Sequence, residues 1–415
     1  MLKTTFVTAA AVMAGSAAIA QDASFHYDGQ MQIRPDTGEL ALDWVISVHE
    51  TDLETVRFGL NAALGDAAIN GPHVLSVSHE RVEGFAGVMQ IYTVTLEPGE
   101  DVRDLSIRYA GPLFPEAPDN PINTLAPHKV ELTVDSFWMP FDMRFSSLIT
   151  AELDIDIDGD WQGVTMQSIT RTEDGFRIDQ DTPALDLAFT LMSRFTREAG
   201  EGYQIYDTRE AAAEADLGPL VGALEFCTDY LNTLAGPAGP LPRASVTVND
   251  RSEGGYSRRT LIALTDIAQS SPESLTQFIC HELAHYWSYG NAMTVENWLN
   301  ESFADQIANT GLRARYGDEA YREHMRGYAE RVASGDPLPP VWTPQSEARP
   351  AYLVAYRKGP LALAALEDEI GRDVFARFLR QLMIEQVSTT PRMLDVLEAV
   401  AGVEAREWFV GRLAQ

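Results

Sequence analysis

The sequence predicts an α+β protein: an N-terminal antiparallel β saddle or sandwich, followed by a mainly helical domain with a small sheet. Three observations carry this. Apolar residues alternate with polar ones through much of residues 24–178, the period of half-buried strands. Near residue 185 the spacing turns helical. From residue 271 to the end, most segments keep that helical period.

The elements follow in order. In residues 39–49, Leu40, Leu42, Trp44, Ile46 and Val48 fall on alternate positions, and Met89, Ile91, Thr93 and Thr95 do the same further on. Residues 130–134 and 151–157 read as further strands. Turn signals such as Pro35-Asp36-Thr37-Gly38 and Pro98-Gly99 separate them. Asp154-Ile155-Asp156-Ile157-Asp158-Gly159 resembles the start of a calcium loop. The twelfth position holds Thr165 where a bidentate Glu is required. The segment therefore reads as a strand with an acidic outer face and an Asp-Gly turn. Residues 185–197 and 217–234 read as helices, and Gly236-Pro237-Ala238-Gly239-Pro240 as a loop. Strands at 244–248 and 260–264 follow, then helices. These patterns divide the chain into a leader (1–20), a β domain (21–182) and a mainly helical domain (183–415).

Composition bounds the function. The 415 residues carry 31 Lys+Arg against 61 Asp+Glu, a formal net charge of −30. Such a field repels phosphate, which disfavours nucleic acid and anionic lipid as partners. The apolar share of 45% suits a folded globular chain. Met1-Leu2-Lys3, the apolar run 6–18 and Ala18-Ile19-Ala20 have the layout of a secretory signal peptide cut before Gln21. The alternative is an N-terminal anchor, for which the run is short. Beyond it no stretch predicts a membrane span, so the expected location is periplasmic or extracellular. Cys227 and Cys280 are the two cysteines. Export permits a disulfide between them, and two buried thiols are the other reading.

The strongest chemical signal is His281-Glu282-Leu283-Ala284-His285. Residues i and i+4 share one helical face, so both imidazoles can grip one metal ion. Zinc suits two imidazoles and a carboxylate, with a fourth position left for water. Glu282 stands beside that face and can take the water's proton. Ser270 or Ser271 as N-cap, Pro272 and Glu273 in the first turn, and Gly290 as a stop frame the helix. The third ligand is expected from Glu301 in Trp298-Leu299-Asn300-Glu301-Ser302-Phe303-Ala304, with fifteen residues between it and His285. Residues 294–311 read as a second helix. Asp305, one turn after Glu301, is placed to accept the outer N–H of a zinc-bound histidine.

These motifs resemble the gluzincin metallopeptidases of the aminopeptidase N family. That family carries HExxH, usually eighteen residues, and then a Glu within a Trp-Leu-Asn-Glu-Gly-Phe-Ala-like segment. Here the gap is shorter and Ser302 stands in place of the Gly. Tyr356-Arg357-Lys358-Gly359 looks like the family's Tyr-x-Lys-Gly motif, whose Tyr donates to the oxyanion of the tetrahedral intermediate. Read from sequence alone, a core aromatic is the leading reading of Tyr356, and Tyr352, one turn earlier, is a weaker second candidate. The resemblance implies a saddle-like N-terminal domain, in which Asp135-Ser136-Phe137-Trp138-Met139-Pro140 falls, and a thermolysin-like catalytic domain. It implies one zinc ion per chain, held by His281, His285 and Glu301. The large C-terminal helical domain of many members is not expected in this chain. Where the family has Gly-x-Met-Glu-Asn, whose Glu binds the substrate's α-amine, this chain has Gly254-Gly255-Tyr256-Ser257-Arg258-Arg259.

The glycines Gly254 and Gly255 still allow a substrate chain to pair there as an added strand. Ser257 cannot anchor an ammonium as a carboxylate does. Arg258 and Arg259 suit a carboxylate, or else offset local acidic charge. Three functions stay open on the sequence: an aminopeptidase with a substituted amine anchor, a peptidase that reads something other than a free N-terminus, and a non-catalytic binding protein on the same fold. The intact HExxH, Glu301 and Tyr356 argue against the last. Peptide or protein substrates are the expected partners.

Overall fold

The structure, a computed structural model, describes residues 23–84, 87–99, 102–113, 123–210, 216–251, 255–268 and 270–415. The proposed leader lies outside these residues, as does Gly254.

Three sheets build the N-terminal part. The largest has seven strands in the order Ser168–Arg171, Gly175–Ala184, Ile149–Asp156, Phe25–Arg34, Glu39–Val48, Arg103–Pro112 and Ala68–Asn70. All but one of its pairings are antiparallel; Phe25–Arg34 runs parallel to Ile149–Asp156. Leu40, Leu42, Trp44, Ile46 and Val48 are buried on one face of their strand, as their spacing predicts. Gly29 sits opposite Trp44 in the register, where a Cβ would lie 2.2 Å from the indole. Trp44 donates to the Tyr109 hydroxyl (3.0 Å), and Tyr109 donates to the Trp138 carbonyl (2.8 Å). This chain of bonds ties the sheet to the segment around Trp138. A four-stranded sheet runs in the order Phe141–Asp142, Thr55–Asn61, Gly87–Leu96, Val74–Gly84, and a second in the order Gln162–Thr165, Phe189–Met192, Lys129–Leu132, Thr124–Ala126. Asp154 and Asp156 project from the exposed face of their strand, and Arg177 pairs with Asp154 at 3.1 Å. This is the strand reading, not a calcium loop.

Two expectations are corrected here. Residues 185–197 are not helical; they contain the strand Phe189–Met192 and the start of Thr196–Gly200. Every residue from Leu187 to Met192 is buried. A short strand buried on both faces reads as a continuous apolar run, which periodicity cannot separate from a helix. Because Phe189–Met192 pairs with Lys129–Leu132 and Gln162–Thr165, the β part runs past the expected boundary at 182.

The C-terminal part opens with a five-stranded sheet in the order Thr196–Gly200, Tyr203–Asp207, Ala244–Val248, Leu261–Leu264, Tyr256–Arg258. Tyr256–Arg258 is its edge strand. Among the described residues eight α-helices accompany it: α1 (Gly218–Ala235), α2 (Pro272–Ala284), α3 (Asn297–Tyr316), α4 (Asp318–Ala333), α5 (Gly359–Ile370), α6 (Arg372–Ile384), α7 (Thr390–Ala401) and α8 (Val403–Leu413). They enclose a second core, separate from the main β core. Cys227 on α1 and Cys280 on α2 are joined as a disulfide. Of the two readings open on the sequence, the cross-link is the one found.

The two parts meet through buried ion pairs. Glu131 is fully buried; it accepts two bonds from Arg251, both 2.8 Å, and lies 2.6 Å from the Lys129 ammonium. Burial alone would raise the Glu131 pKa, but Lys129 and Arg251 outweigh it and hold the carboxyl below its ordinary range. Replacing one member of a buried ion network strands its partners in low dielectric. Glu131→Ala is therefore expected to cost about 3 kcal/mol or more of stability. Equilibrium denaturation tests this, and a loss below about 1 kcal/mol would show that the network is solvated like a surface pair.

Candidate metal centre

Helix α2 starts as its residues dictate. The Ser271 hydroxyl accepts from the Ser274 amide (3.1 Å), and Pro272 occupies the first turn. His281 and Glu282 fall in its last turn, both buried. His285 opens a short 3-10 turn, His285–Trp287. Gly290, expected as the stop, is clamped by Asn300, which accepts from its amide (2.9 Å) and donates to its carbonyl (2.8 Å). That clamp fixes the connection between α2 and α3. Glu301 then faces α2 from the first turns of α3.

The three donors converge. His281 Nε2 and His285 Nε2 are 3.1 Å apart, and Glu301 Oε2 lies 3.7 and 3.5 Å from them. One ligand atom from each lies within 4.8 Å of the other two. Ligand atoms bound at ~2.0–2.1 Å to one tetrahedral ion sit roughly 3.3 Å from each other, so this spacing fits a zinc ion. Glu301 Oε2 is buried and has no hydrogen-bond partner, an unmet demand that a cation satisfies.

Around the donors, Asp305 Oδ1 stands 3.3 Å from His281 Nδ1, while Asp305 also accepts from Gln277 (2.7 Å) and Arg357 (3.4 Å). A proton kept on Nδ1 leaves the Nε2 lone pair free for a metal. His285 Nδ1 lies 3.2 Å from the Ser288 hydroxyl. Burial lowers the His281 pKa, but Asp305, Glu282 and Glu301 outweigh it and raise it to about 9. Burial and the neighbouring His281 pull His285 down.

Tyr356 lies over this group, its ring stacked at 5.9 Å on His281 and at 4.6 Å on Tyr352. Burial, then the charges of Glu301 and Glu282, push its phenol pKa up, so it keeps its proton. It sits in a π-helical turn, Val354–Lys358, that leads into α5. Ser302 donates to the Ala355 carbonyl at 2.6 Å, and a Cβ on Gly359 would lie 1.9 Å from the same hydroxyl. The Ser302–Gly359 contact is what lets the turn settle onto α3.

The remaining candidates lie on the edge strand. Gly255 is exposed, and a Cβ there would stand 3.3 Å from Phe278 on α2. Arg258 is turned toward the β part, donating to Asp186 (2.8 Å) and Asp135 (3.0 Å). Its guanidinium joins the two parts of the chain instead of facing the metal donors. Sequence reasoning did not single out Gln277 or Arg357, whose guanidinium also stacks 4.3 Å from the Tyr328 ring centre. Neither carries a spacing signal; each matters only because Asp305 is next to it. A cavity of about 430 Å³, lined in part by Tyr230, Arg313 and Glu367, shares none of these residues.

Comparison with known proteins agrees with this geometry. Residues 256–407 match the peptidase family M1 domain. Mouse endoplasmic reticulum aminopeptidase 1 is 29% identical over 220 residues, which cover 47% of this chain and 23% of that protein. Human aminopeptidase N is 33% identical over 129 residues, 27% of this chain and 13% of that one. The matched region thus spans less than a quarter of these curated relatives. Among solved structures, the M1 zinc metallopeptidase from Deinococcus radiodurans superposes with a TM-score of 0.65 at 18% identity, covering 95% of this chain and 93% of that one. Leukotriene A4 hydrolase from Saccharomyces cerevisiae gives 0.68 at 14% identity, covering 94% and 66%. The α+β fold is therefore the one these solved structures have.

Two outcomes follow for metal binding. Asp305→Asn should weaken zinc binding roughly 10–100-fold and Glu301→Ala by more, read by competition with a chelator; unchanged affinity in Glu301→Ala would remove that carboxylate from the ligand set. In the metal-free protein His281 carries a proton below about 9 and must lose it to bind. Affinity should accordingly rise with pH up to that value, with about one proton released per zinc near neutrality. Calorimetry in buffers of different ionisation enthalpy measures the release, and finding none would contradict the protonated His281.

Proposed function

We propose that this chain is an exported zinc metallopeptidase that hydrolyses peptide bonds, with Glu282 as general base. The observation that carries the reading is the convergence of His281, His285 and Glu301 with Glu282 next to the first of them and Tyr356 above. A purely structural role makes no demand for a buried, unpartnered carboxylate oxygen facing two imidazoles. The M1 match and the metallopeptidase fold support the same chemistry.

One zinc ion per chain, held by His281, His285 and Glu301, supplies Lewis-acid activation of a water and of the scissile carbonyl. The protein's own groups do the rest. Asp305 keeps the His281 tautomer and ring orientation that present Nε2. Glu282 takes the proton of the attacking water and later gives it to the leaving amine. Tyr356 donates its hydroxyl proton in a hydrogen bond to the oxyanion as it forms. An extended substrate adds to the open edge of Tyr256–Arg258, with Gly255 allowing close approach of its backbone. Export rests on the leader-like first 20 residues, which lie outside the described part. Among the described residues no helix is long and apolar enough to cross a membrane.

Glu282→Gln should lower kcat by about 10²–10⁴ while zinc content is unchanged. Turnover near the wild-type rate in the metal-loaded variant would refute the general-base role. The aminopeptidase relatives favour a second reading, in which a free N-terminus is required despite Ser257. Paired peptides, one N-acetylated and one free, separate the two: equal cleavage removes the aminopeptidase reading, and strict preference for the free amine establishes it.

A further inference from the structure

The edge strand and helix α2 run side by side. Gly255 abuts Phe278 at one end, and the Arg259 guanidinium lies 5.3 Å from the Tyr286 ring centre at the other. Phe278 to Tyr286 covers the end of α2 and the start of the 3-10 turn, about 12 Å, and 255 to 259 covers the edge strand and the residue on either side of it, at most about 13 Å, so the two lengths are comparable. His281, Glu282 and His285 all fall within that length. A peptide paired with the strand therefore passes the metal donors and ends its course at Arg259.

Two independent observations bear on Arg259. Arg258 pairs with Leu261, so Arg259 and Thr260 form a two-residue hairpin turn. Its φ is +57°, at the first central position, where such turns favour Gly. An Arg held there works against local preference, as residues at functional sites do. Second, Arg258, Arg251 and Arg357 each face a carboxylate. Unlike these three, Arg259 has no acidic partner among the described residues; what it touches is the face of Tyr286. A guanidinium stacked on an aromatic ring keeps its N–H fork free for a carboxylate.

We propose that Arg259 determines specificity by binding a substrate carboxylate at this end of the groove. The inference rests on the peptidase reading above and deepens it. It names peptides bearing an acidic group, from either a Glu or Asp side chain or a free C-terminus, as the preferred class.

The test uses the zinc-loaded Glu282→Gln protein, which binds without turnover. Peptides are compared in pairs: Glu against Gln at each position in turn, and free acid against C-terminal amide. At one position the charged member should bind about tenfold more tightly. A side-chain position or the terminal pair then identifies the source of the carboxylate. Adding Arg259→Gln should abolish the preference, and Arg259→Lys, which keeps the charge and the stem over Tyr286, should retain part of it. Absence of any charge preference, or a preference that survives Arg259→Gln, overturns the proposal. Cleavage by the unmodified protein is measured separately. No cleavage alongside Arg259-dependent binding would defeat the peptidase reading and leave Arg259 as the carboxylate site.

Discussion

Three donor atoms on two helices have to remain within a few ångströms of one another, and much of the surrounding structure serves to hold α2 against α3. The contact is close. On α3, Gly311 leaves room where a Cβ would stand 3.2 Å from the Cys280 sulfur and 3.3 Å from the Tyr230 ring. Asn300 pins the loop that connects the helices. Trp298, fully buried one turn before Ser302, donates to Thr390 at 2.8 Å and joins α3 to α7. Ser302 draws the Tyr356 turn down from the opposite direction. Each contact restricts a different degree of freedom, so the ligands are positioned before a metal arrives and little ordering remains to oppose binding.

The acidic composition looks different once the interior is considered. A large part of the negative charge is solvated surface, but Glu131, Asp186, Asp305 and Glu367 are buried and each meets an arginine. Burial raises the Asp186 pKa, and Arg258 works against that rise. Such pairs cost desolvation and contribute modestly to net stability, yet they specify geometry strictly, because a misplaced charge has no alternative partner. Two of them, Arg251 with Glu131 and Arg258 with Asp186, hold the ends of the segment that forms the edge strand. The β part thus holds the edge strand from behind.

How legible was this in the sequence? His281, Glu282, His285 and Glu301 were readable because helical spacing converts directly into a shared face. Asp305 followed from the same logic one turn on. The strands of the large sheet were readable from alternation, since one face is buried. The strand 189–192 was not, because both its faces are buried and the alternation is erased. Arg258 read as a binding residue or a local counter-charge; its partners are 123 and 72 positions away, a separation that no local pattern records. The π-helical turn was invisible for a similar reason. It depends on Ser302 capturing the Ala355 carbonyl, a contact between elements and not a propensity of residues 354–358.

The disulfide has a consequence for metal selectivity. Cys280 immediately precedes the candidate ligand His281, and Cys227 on α1 is joined to Cys280. As free thiols these sulfurs would be soft donors of high affinity for zinc and copper, one residue from the intended site. Joined to each other they can ligate nothing. The cross-link therefore acts as a chemical mask as well as a strut.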